Sequence, residues 1–419
     1  MELSIHHLEG GCLCGQAHTL STKEVLLERG ALMLLPQIVS RYGYTMPLVV
    51  CDGNTYLAAA GAVTRLLDCE IVVLPERGLH ADEHAVERLN ACLPQNVDVL
   101  LAVGAGTIHD IVRYTAYERQ IPFISVPTAA SVDGFVSTVA AMTWKGVKKS
   151  FSSAAPLAVI ADTDVLIHAP YRLTASGVSD LMGKYTAIAD WRIAHLVTGE
   201  FFCERISHMA LEAVEAAAGA LGGLQNADAE AYERLMYGLL LSGLAMQLVG
   251  NSRPASGAEH HLSHLWEMEV INPHLDALHG EKVSVGLMLL LPHYQAVGRA
   301  IREGRCQVRP YKGLERKLLE TAFEDPEKLQ GILLENAPDP LQAIDSGTLE
   351  AHLCAIADII EALPVEEKLR ESLRLGGCRH TLSDIGLAPS VEKLSLQLAP
   401  YVRNRLTLLR MMKRFSIQE

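Results

Sequence analysis

Short β-branched segments alternate with helical segments between residues 46 and 166, and this alternation constrains the fold more than any other feature of the sequence. Five segments are typical of strands: MPLVVCDG, CEIVVLP, VDVLLAVGAG, PFISVPT and PLAVIADTDVL. Three segments between them have the apolar spacing of helices: YLAAAGAVTRLL, HAVERLNACL and IHDIVRYTAYER. Strands that alternate with helices of about 10–15 residues predict βαβ units and a parallel sheet.

The apolar spacing is helical through the rest of the chain, in segments such as MALEAVEAAAGALGGL, AYERLMYGLLLSGLAMQL and EKVSVGLMLLLPHYQAVGRAI. A chain of 419 residues is also longer than one hydrophobic core usually covers. We therefore expect an α/β, Rossmann-like nucleotide-binding domain with a parallel sheet over residues 1–170. An all-α helical domain that binds metal and substrate is expected to follow over residues 171–419.

The charge balance argues against nucleic acid as a partner. The formal net charge is −13, so no basic surface is available to displace the counterions of a polyanion. A small phosphorylated substrate is still allowed, because it needs only a local cationic site. The longest nearly apolar run, Leu235–Gly250, is shorter than the ~20 residues of a membrane span and predicts a buried helix.

Nine cysteines, an odd number, are scattered through the chain. Cys12 and Cys14 are too close in sequence to form a normal disulfide with each other. The others lie in apolar stretches: Cys51, Cys69, Cys92, Cys203, Cys306, Cys354 and Cys378. We interpret all nine as reduced thiols that pack as small hydrophobic groups. Because no charged-then-apolar leader follows Met1 either, we expect a cytoplasmic protein.

A glycine turn joins a strand to a helix in VLLAVGAGTIHDIVRY. Gly104 and Gly106 allow a sharp turn and a close approach of the backbone to a ligand. The N–H groups near Thr107 and Ile108 are then placed to bind a pyrophosphate. His109 stands where the full dinucleotide motif has a third glycine, so an ordinary βα turn is an equal alternative.

Polar side chains also follow two other predicted strands. Thr128 and Ser131 offer hydroxyl groups after PFISVP, and Asp133 lies in the same loop. The alternative is a polar loop with a capping aspartate. Asp52 ends an earlier strand, where a carboxylate can accept hydrogen bonds from ribose hydroxyls and would repel a 2′-phosphate.

Three histidines occur within the apolar segment SGAEHHLSHLWEM. His260 and His264 are four residues apart and share one helix face, whereas His261 points about a quarter turn away. His279 follows at the predicted start of the next helix, and Asp180 offers an acid at the start of a long helix. The pattern favours a divalent metal, with surface or core histidines as the alternative.

Five motifs in order carry a family resemblance: GAGTIHD, SVPTAASVDGFVS, SGVSDLMGKYTA, SRPASGAEHHLSH and LHGEKVSVG. Together they resemble the superfamily of dehydroquinate synthases, glycerol dehydrogenases and iron-type alcohol dehydrogenases. Within it, they are most similar to the sn-glycerol-1-phosphate dehydrogenase family, particularly its bacterial AraM-like branch. The resemblance implies a dehydroquinate synthase-like fold over nearly the whole chain.

The resemblance also implies roles for individual residues. Asp180, His260 and His279 resemble metal ligands. Asp133 and His264 resemble catalytic and substrate-binding residues, and Asp180 also resembles a substrate contact. The positions that resemble contacts of the nicotinamide cofactor are Asp52, Gly106, Thr107, Ile108, His109, Asp110, Thr128, Ala129, Ala130, Ser131 and Ser137. Ala105 departs from the glycine found in many relatives, and His261 has no role in the pattern.

The expected activity is that of a metal-dependent dehydrogenase. It would interconvert dihydroxyacetone phosphate and sn-glycerol 1-phosphate with NAD(H) or NADP(H), for glycerophospholipid synthesis. One divalent ion, Zn²⁺ or Ni²⁺, would act as the Lewis acid. The resemblance further implies a homo-oligomer, with a dimer as the expected form.

Three alternatives remain open from the sequence. A glycerol or polyol dehydrogenase would share every motif, and only a phosphate pocket would distinguish it. Candidates for that pocket are Lys184, Arg253 and Lys148 or Lys149, although each alone is better explained as a solvated charge. A dehydroquinate synthase-like lyase resembles the histidine segment less well. A relative that binds nucleotide without turnover belongs to a different functional class.

Overall fold

The computed structural model describes residues 5–144 and 147–418. The chain divides into two compact units. The first runs as far as Leu181 and also includes His208–Ser252, and the second consists of Met182–Ser207 and Arg253–Glu419. The expected division of functions at residues 170/171 stays a prediction.

A parallel sheet forms the centre of the first unit, as predicted, and it has six strands, one more than the predicted segments. In spatial order its strands are Glu24–Glu28, Ala158–Asp162, Phe123–Pro127, Val99–Gly104, Pro47–Asp52 and Glu70–Leu74. Every residue of the Val99–Gly104, Phe123–Pro127 and Ala158–Asp162 strands is buried. Burial on both faces explains why these strands appear in the sequence as continuous apolar runs.

Alternate residues of the central strands pack into two different cores. Val49, Leu101 and Ile124 belong to one core, whereas their neighbours Leu48 and Leu100 belong to the other. This period of two places helices against both faces of the sheet. The helices of eight or more residues in the first unit are Glu83–Cys92, Gly106–Arg119, Tyr171–Met182, Glu204–Leu224 and Ala229–Val249. Of these, the Glu204–Leu224 helix begins in the second unit. Its shorter helices are Leu35–Arg41, Gly53–Thr55, Gly61–Leu67 and Thr163–Leu166, and Tyr56–Ala60 forms a π-turn.

Two antiparallel hairpins of the first unit were not predicted. One pairs Gly10–Gly11 with Ala17–His18, and the other pairs Val139–Trp144 with Val147–Ser152. The second hairpin packs through Ala140 and Met142 against Val86 of the Glu83–Cys92 helix. Its second strand contains two lysines, Lys148 and Lys149, and therefore lacks the apolar run of a buried strand.

The second unit is largely helical around one large core. Its helices of eight or more residues are Lys184–Thr198, Ala258–Glu267, His279–Arg302, Pro326–Glu335, Leu353–Glu361 and Glu366–Leu375. Its shorter α-helices are Arg316–Ala322, Ser346–Ala351, Glu392–Leu398 and Leu408–Met411. A two-stranded antiparallel sheet pairs Phe415–Ile417 with Cys306–Val308, the segment that follows the long His279–Arg302 helix. This small sheet departs from the expectation that the domain is all-α.

Burial confirms one prediction about the apolar segments and corrects another. The Leu235–Gly250 run lies almost entirely in the buried Ala229–Val249 helix, and no helix in the described ranges is long and apolar enough to cross a membrane. All nine cysteines are free thiols. The expectation that each packs as a buried hydrophobic group is wrong for Cys92 and Cys354, which are exposed, and for Cys12, Cys14 and Cys69, which are half-buried.

Candidate active site

Three predicted cofactor segments lie at one edge of the parallel sheet. Asp52, Gly104 and Pro127 end neighbouring strands, and Gly104 pairs with Pro127 in the sheet register. The Gly106–Arg119 helix begins directly after one of these strands. The structure therefore brings the glycine turn, the Thr128–Ser131 segment and Asp52 to the carboxyl edge of the strands, where open α/β sheets bind ligands.

The glycine turn is tightly packed. A Cβ atom on Gly104 would lie 2.6 Å from Cβ of Ile108, and one on Gly106 would lie 3.1 Å from Cγ2 of Val132. Contacts within the unit itself thus require glycine at position 104, whereas at position 106 a larger residue would need a small shift of Val132. Gly106 and Thr107 are half-buried at the start of the 14-residue helix, where N–H groups can meet an anion, whereas Ile108 is buried.

His109, which the family resemblance places among the cofactor contacts, is an internal residue. Its Nδ1–H donates to the carbonyl oxygen of Ala105 at 3.0 Å, and its Nε2 accepts from Oγ of Ser125 at 2.8 Å. The ring also meets Phe135 edge-on at 4.8 Å between centroids. Burial lowers the pKa of His109 to about 3, so the ring is neutral. It ties the glycine turn to the neighbouring strand and leaves no ring nitrogen for a cofactor.

Arg113, which the sequence motifs did not single out, connects the predicted cofactor segments. Its buried guanidinium pairs with Asp110 at 3.2 Å and donates to the carbonyl oxygens of Gly134 and Val139. Burial lowers its pKa, while Asp110 and Asp133 oppose this shift. Arg113 therefore holds the loop that follows Asp133 against the helix that carries Asp110.

The Thr128–Ser131 segment and Asp133 are held by contacts within the first unit. Thr128, Ala129, Ala130 and Ser131 are all buried. The N–H of Asp133 donates to Oδ2 of Asp180 at 3.0 Å, and Oγ of Ser242 donates to Oδ2 of Asp133 at 2.8 Å. The capping residue before the Asp133–Val136 turn is Val132, so Asp133 is not the capping aspartate of the alternative interpretation.

Asp180 lies elsewhere in its helix than the sequence suggested. It occupies the last turn of Tyr171–Met182, and the next helix begins at Lys184, so it does not start a long helix. It is buried within the first unit.

Ser137 is also buried, and the N–H of Val139 donates to its Oγ at 3.0 Å.

Asp52 has a structural role in its own unit. Its Oδ1 accepts from the N–H of Thr55 at 2.8 Å, and its own N–H donates to Oγ1 of Thr55 at 2.9 Å. These reciprocal bonds cap the short Gly53–Thr55 helix. They also fix the position of a half-buried carboxylate at the carboxyl end of a strand.

Three imidazoles meet in the second unit, as the spacing predicted. His260 and His264 share the Ala258–Glu267 helix, and His279 begins the next helix. The ring centroid of His279 lies 5.2 Å from that of His260 and 5.7 Å from that of His264. Gly286 allows the two helices this approach, because a Cβ there would lie 2.8 Å from the carbonyl oxygen of Glu259.

A carboxylate lies behind each of these imidazoles. Nδ1–H of His260 donates to Oε1 of Glu259 at 2.7 Å. Nδ1 of His264 lies 3.2 Å from Oε2 of Glu267, and Nδ1 of His279 lies 3.3 Å from Oε1 of the same carboxylate. An Nδ1–H that donates to a carboxylate puts the lone pair of a neutral ring on Nε2, the arrangement of metal-binding histidines. Neither glutamate was singled out from the sequence.

Glu259 and His264 have perturbed acidities. Burial opposes ionisation of Glu259, but hydrogen bonds from His260 and Thr186 outweigh this and hold the pKa of Glu259 below its usual value. Burial lowers the pKa of His264 to about 3, although Glu267 raises it. His264 is therefore neutral at physiological pH and can accept a proton or hydrogen bond at Nε2.

Three arginines of the second unit, Arg253, Arg403 and Arg405, lie near His261 and help to lower its pKa, and Arg403 also lowers that of His264. Nη1 of Arg253 donates to the carbonyl oxygen of Leu406 at 2.8 Å, and Nη1 of Arg405 donates to that of Ser256 at 2.7 Å. Burial, together with the charges of Arg253 and Arg403, lowers the pKa of Arg405 to about 9. Arg403 and Arg405 are half-buried. The sequence interpretation missed both, although they form a basic RNR segment.

The earlier phosphate candidates differ in their surroundings. Arg253 is buried and pairs with Glu200, and Lys184 is fully buried, so neither is a solvated charge. Lys149 is exposed, and the side chain of Lys148 lies outside the described part of the chain.

Both ring nitrogens of His261 are buried and make no hydrogen bond within the described residues.

Comparison with known proteins shows where this chain belongs. The family model described as "Iron-containing alcohol dehydrogenase" matches residues 26–170. A relative from Halalkalibacterium halodurans, "Glycerol-1-phosphate dehydrogenase [NAD(P)+]", is 36% identical over 88% of this chain and 94% of its own. One of the same name from Geobacillus thermodenitrificans is 33% identical over 94% of this chain and 92% of its own.

The fold has solved counterparts as well. An iron-containing alcohol dehydrogenase from Corynebacterium glutamicum has a TM-score of 0.62 at 18% identity, over 95% of this chain and 94% of its own. That similarity bears on the fold alone. The curated relatives exceed 30% identity over almost their whole length and confirm the family resemblance of the motifs. This chain belongs to the glycerol-1-phosphate dehydrogenase family.

Proposed function

We propose that the protein is a metal-dependent, NAD(P)-linked dehydrogenase that interconverts dihydroxyacetone phosphate and sn-glycerol 1-phosphate. The observation that carries this proposal is the group of three imidazoles backed by Glu259 and Glu267, with the half-buried Arg403 of the same unit near His264. The names of its relatives support the substrate and the cofactor. Its product would supply the backbone of a glycerophospholipid.

The proposed metal ligands are Asp180, His260 and His279, and their chemistry fits one divalent ion. His260 and His279 each offer a nitrogen within 4.8 Å of the other. Asp180 supplies the carboxylate from a buried position in the last turn of its helix. Two imidazoles and a carboxylate suit Zn²⁺ or Ni²⁺, and three protein ligands leave a position open for substrate.

The proposed cofactor contacts come from the carboxyl edge of the sheet. The segments Gly106–Asp110 and Thr128–Ser131, with Ser137, would bind the pyrophosphate and the nicotinamide ring. The ring of His109, whose two nitrogens are used in internal hydrogen bonds, would act as a positioning group in the first of these segments. Asp52 would accept hydrogen bonds from the adenosine ribose and so favour NAD(H) over NADP(H).

When bound, the divalent ion supplies Lewis-acid polarisation of the substrate oxygen, and the nicotinamide supplies the hydride. The protein's own residues orient the substrate and move the proton. His264 accepts a hydrogen bond at Nε2 from the C2 hydroxyl, while its Nδ1–H stays on Glu267 and keeps this tautomer. Asp133, fixed by Ser242, would hold a neighbouring substrate hydroxyl.

The substrate phosphate is assigned to Arg403 and Arg405. Both side chains are half-buried, and Arg403 lies close enough to His264 to lower the pKa of that ring. Glu200 offsets the charge of Arg253, so Arg253 acts mainly as a support for the segment that carries these two arginines. Planar guanidinium groups suit a phosphate because they can donate two parallel hydrogen bonds.

One set of assays tests this function. NADH oxidation is measured with dihydroxyacetone phosphate and with dihydroxyacetone, and the reverse reaction with both enantiomers of glycerol phosphate. We expect activity with the phosphorylated ketone and with the 1-phosphate enantiomer. Faster turnover of dihydroxyacetone would instead make the protein a polyol dehydrogenase.

Two substitutions test the assigned subsites separately. Arg405→Gln should raise KM for dihydroxyacetone phosphate by ~10–100-fold, because a charge-assisted hydrogen bond contributes about 1.5–3 kcal/mol. KM for NADH should not change, and Arg299→Gln, at an exposed position of the same unit, is the matched control. His260→Ala should remove the metal ion bound at Asp180, His260 and His279, and with it the activity. Retention of both would contradict the metal site.

Two further properties belong to this proposal. Nine free cysteines support a reducing compartment such as the cytoplasm. The family resemblance supports a homodimer, which sedimentation of the purified protein would test.

A further inference from the structure

A second group of metal-binding side chains lies far along the sequence from the histidines described above. The segment CLCGQAH, from Cys12 to His18, places two cysteines and a histidine in one tight hairpin. The N–H of Cys12 donates to the carbonyl oxygen of Gln16 at 3.0 Å, and the N–H of Gly15 donates to that of Cys12 at 3.0 Å. Gly15 has a φ of 83°, which a glycine adopts without strain and which lets the chain reverse within these few residues.

The hairpin brings three ligand atoms together. One ligand atom from each of Cys12, Cys14 and His18 lies within 4.8 Å of the others. Sγ of Cys14 is 3.3 Å from Nε2 of His18. Zn–S and Zn–N bonds of about 2.3 and 2.05 Å at a tetrahedral angle separate sulfur from nitrogen by about 3.6 Å. The observed spacing is thus within a few tenths of an ångström of a zinc site.

His18 is oriented as a metal ligand rather than as a packing group. Its ring is 1% exposed, and its Nδ1–H donates to the carbonyl oxygen of Leu248 at 2.8 Å. That bond fixes the tautomer and puts the lone pair on Nε2, the nitrogen that faces Cys14. A buried imidazole oriented by a carbonyl toward two thiols is the usual arrangement behind a zinc-bound histidine.

We propose that Cys12, Cys14 and His18 bind a structural zinc ion in this hairpin. Two thiolates and an imidazole favour Zn²⁺ over the hard cations, and a tetrahedral ion still has one position for a further ligand. The site is independent of the proposed dehydrogenase metal, because it shares no residue with Asp180, His260 and His279.

The position of the hairpin suggests what the ion would stabilise. Leu248, which His18 contacts, lies next to Gln247 in the Ala229–Val249 helix. Oε1 of Gln247 accepts from the N–H of Ser21 at 3.1 Å, and Nε2 of Gln247 donates to the carbonyl oxygen of Val136. The hairpin is therefore connected, through one glutamine, to the loop that carries Asp133. Zinc would therefore fix the Cys12–His18 hairpin in its position relative to this loop.

The first measurement uses the full wild-type protein and needs no variant. Protein produced with Co²⁺ in place of Zn²⁺ should show the intense near-ultraviolet absorption of thiolate-to-cobalt charge transfer. The proposed dehydrogenase site contains no cysteine and would not give this band. Zinc X-ray absorption should include sulfur scatterers at about 2.3 Å. A spectrum with only nitrogen and oxygen ligands would overturn the proposal.

The second measurement counts metal in variants. Cys12→Ser with Cys14→Ser should lose about one equivalent of zinc per chain and should unfold at a lower temperature. The matched control, Cys92→Ser with Cys354→Ser, removes two exposed thiols and should keep the wild-type zinc content. His18→Gln should weaken zinc binding at least tenfold in competition with a chromogenic chelator. Equal zinc content in all these variants would overturn the proposal.

Discussion

A single methyl group at Gly177 tests the contact between a helix and the proposed cofactor loop. Gly177 lies in the Tyr171–Met182 helix, and a Cβ there would lie 2.1 Å from the carbonyl oxygen of Ala130 and 3.2 Å from Cδ1 of Leu239. Ordinary C···O contacts begin near 3.3 Å, so Gly177→Ala must separate the helix and the loop by about 1.2 Å. Because the obstructing atom belongs to the backbone, a rotamer change cannot relieve the clash.

Overpacking of this kind costs roughly 1–3 kcal/mol in the free energy of unfolding. A unit of this size loses roughly 2–4 °C of melting temperature per kcal/mol, so Tm should fall by roughly 2–12 °C. Ala130 belongs to the Thr128–Ser131 segment, so its displacement should also weaken the binding of NADH. A loss of about 1.4 kcal/mol in binding free energy would raise KM for NADH ~10-fold.

Differential scanning fluorimetry and steady-state kinetics measure the two effects of Gly177→Ala. Gly219→Ala is the matched control: it lies inside the Glu204–Leu224 helix, and its nearest neighbour is the end of Arg234 at 3.9 Å. That variant should gain about 0.5–1 kcal/mol, because alanine is the better helix former. If Gly177→Ala kept the wild-type Tm and KM, the helix and the loop would not be in the contact described above.

Three further predictions concern pH, cofactor choice and proton transfer. Burial raises the pKa of Asp190 from 3.8 to about 7, so the folded protein binds this proton more tightly than the unfolded chain. The free energy of unfolding should therefore fall as pH rises from about 4 to about 7. Urea titrations of Asp190→Asn should show a weaker pH dependence in that window, and profiles parallel to the wild type would refute this. Asp52→Ala should shift the ratio of kcat/KM for NADH and NADPH toward NADPH, and an unchanged ratio would remove Asp52 from the ribose site. His264→Asn should keep its metal while kcat/KM falls ~10²-fold; loss of metal would make His264 a ligand instead.

The sheet was predictable because its central strands are buried on both faces, so each leaves a continuous apolar run in the sequence. The Glu24–Glu28 strand escaped prediction because a glutamate at each end leaves only three apolar residues between them. The Val139–Trp144 hairpin escaped because its second strand carries lysines and its burial depends on contacts with the Glu83–Cys92 and Gly106–Arg119 helices. Edge elements of this kind are determined by tertiary packing more than by local pattern.

The candidate site was predictable in part for a similar reason. The four-residue spacing of His260 and His264 fixes their common face in any helix, so the structure had little freedom there. Spacing could not tell that the ring of His109 turns inward to Ser125, since that depends on the neighbouring strand. Arg113 and Arg405 act through contacts with residues distant in sequence, which a local motif does not encode. Glu267 was within reach, because it follows His264 by three residues on the same helix.

The carboxylate of Glu267 touches two imidazoles at once, His264 through Oε2 and His279 through Oε1, and Lys282 lies 3.1 Å from Oε1. Under the roles proposed above, one side chain thus adjusts both metal affinity and proton transfer. Directed evolution of metal preference at this position would therefore change the rate of catalysis in the same step. To vary the two properties separately, an engineer must begin with Glu259, whose hydrogen bond to an imidazole reaches His260 alone.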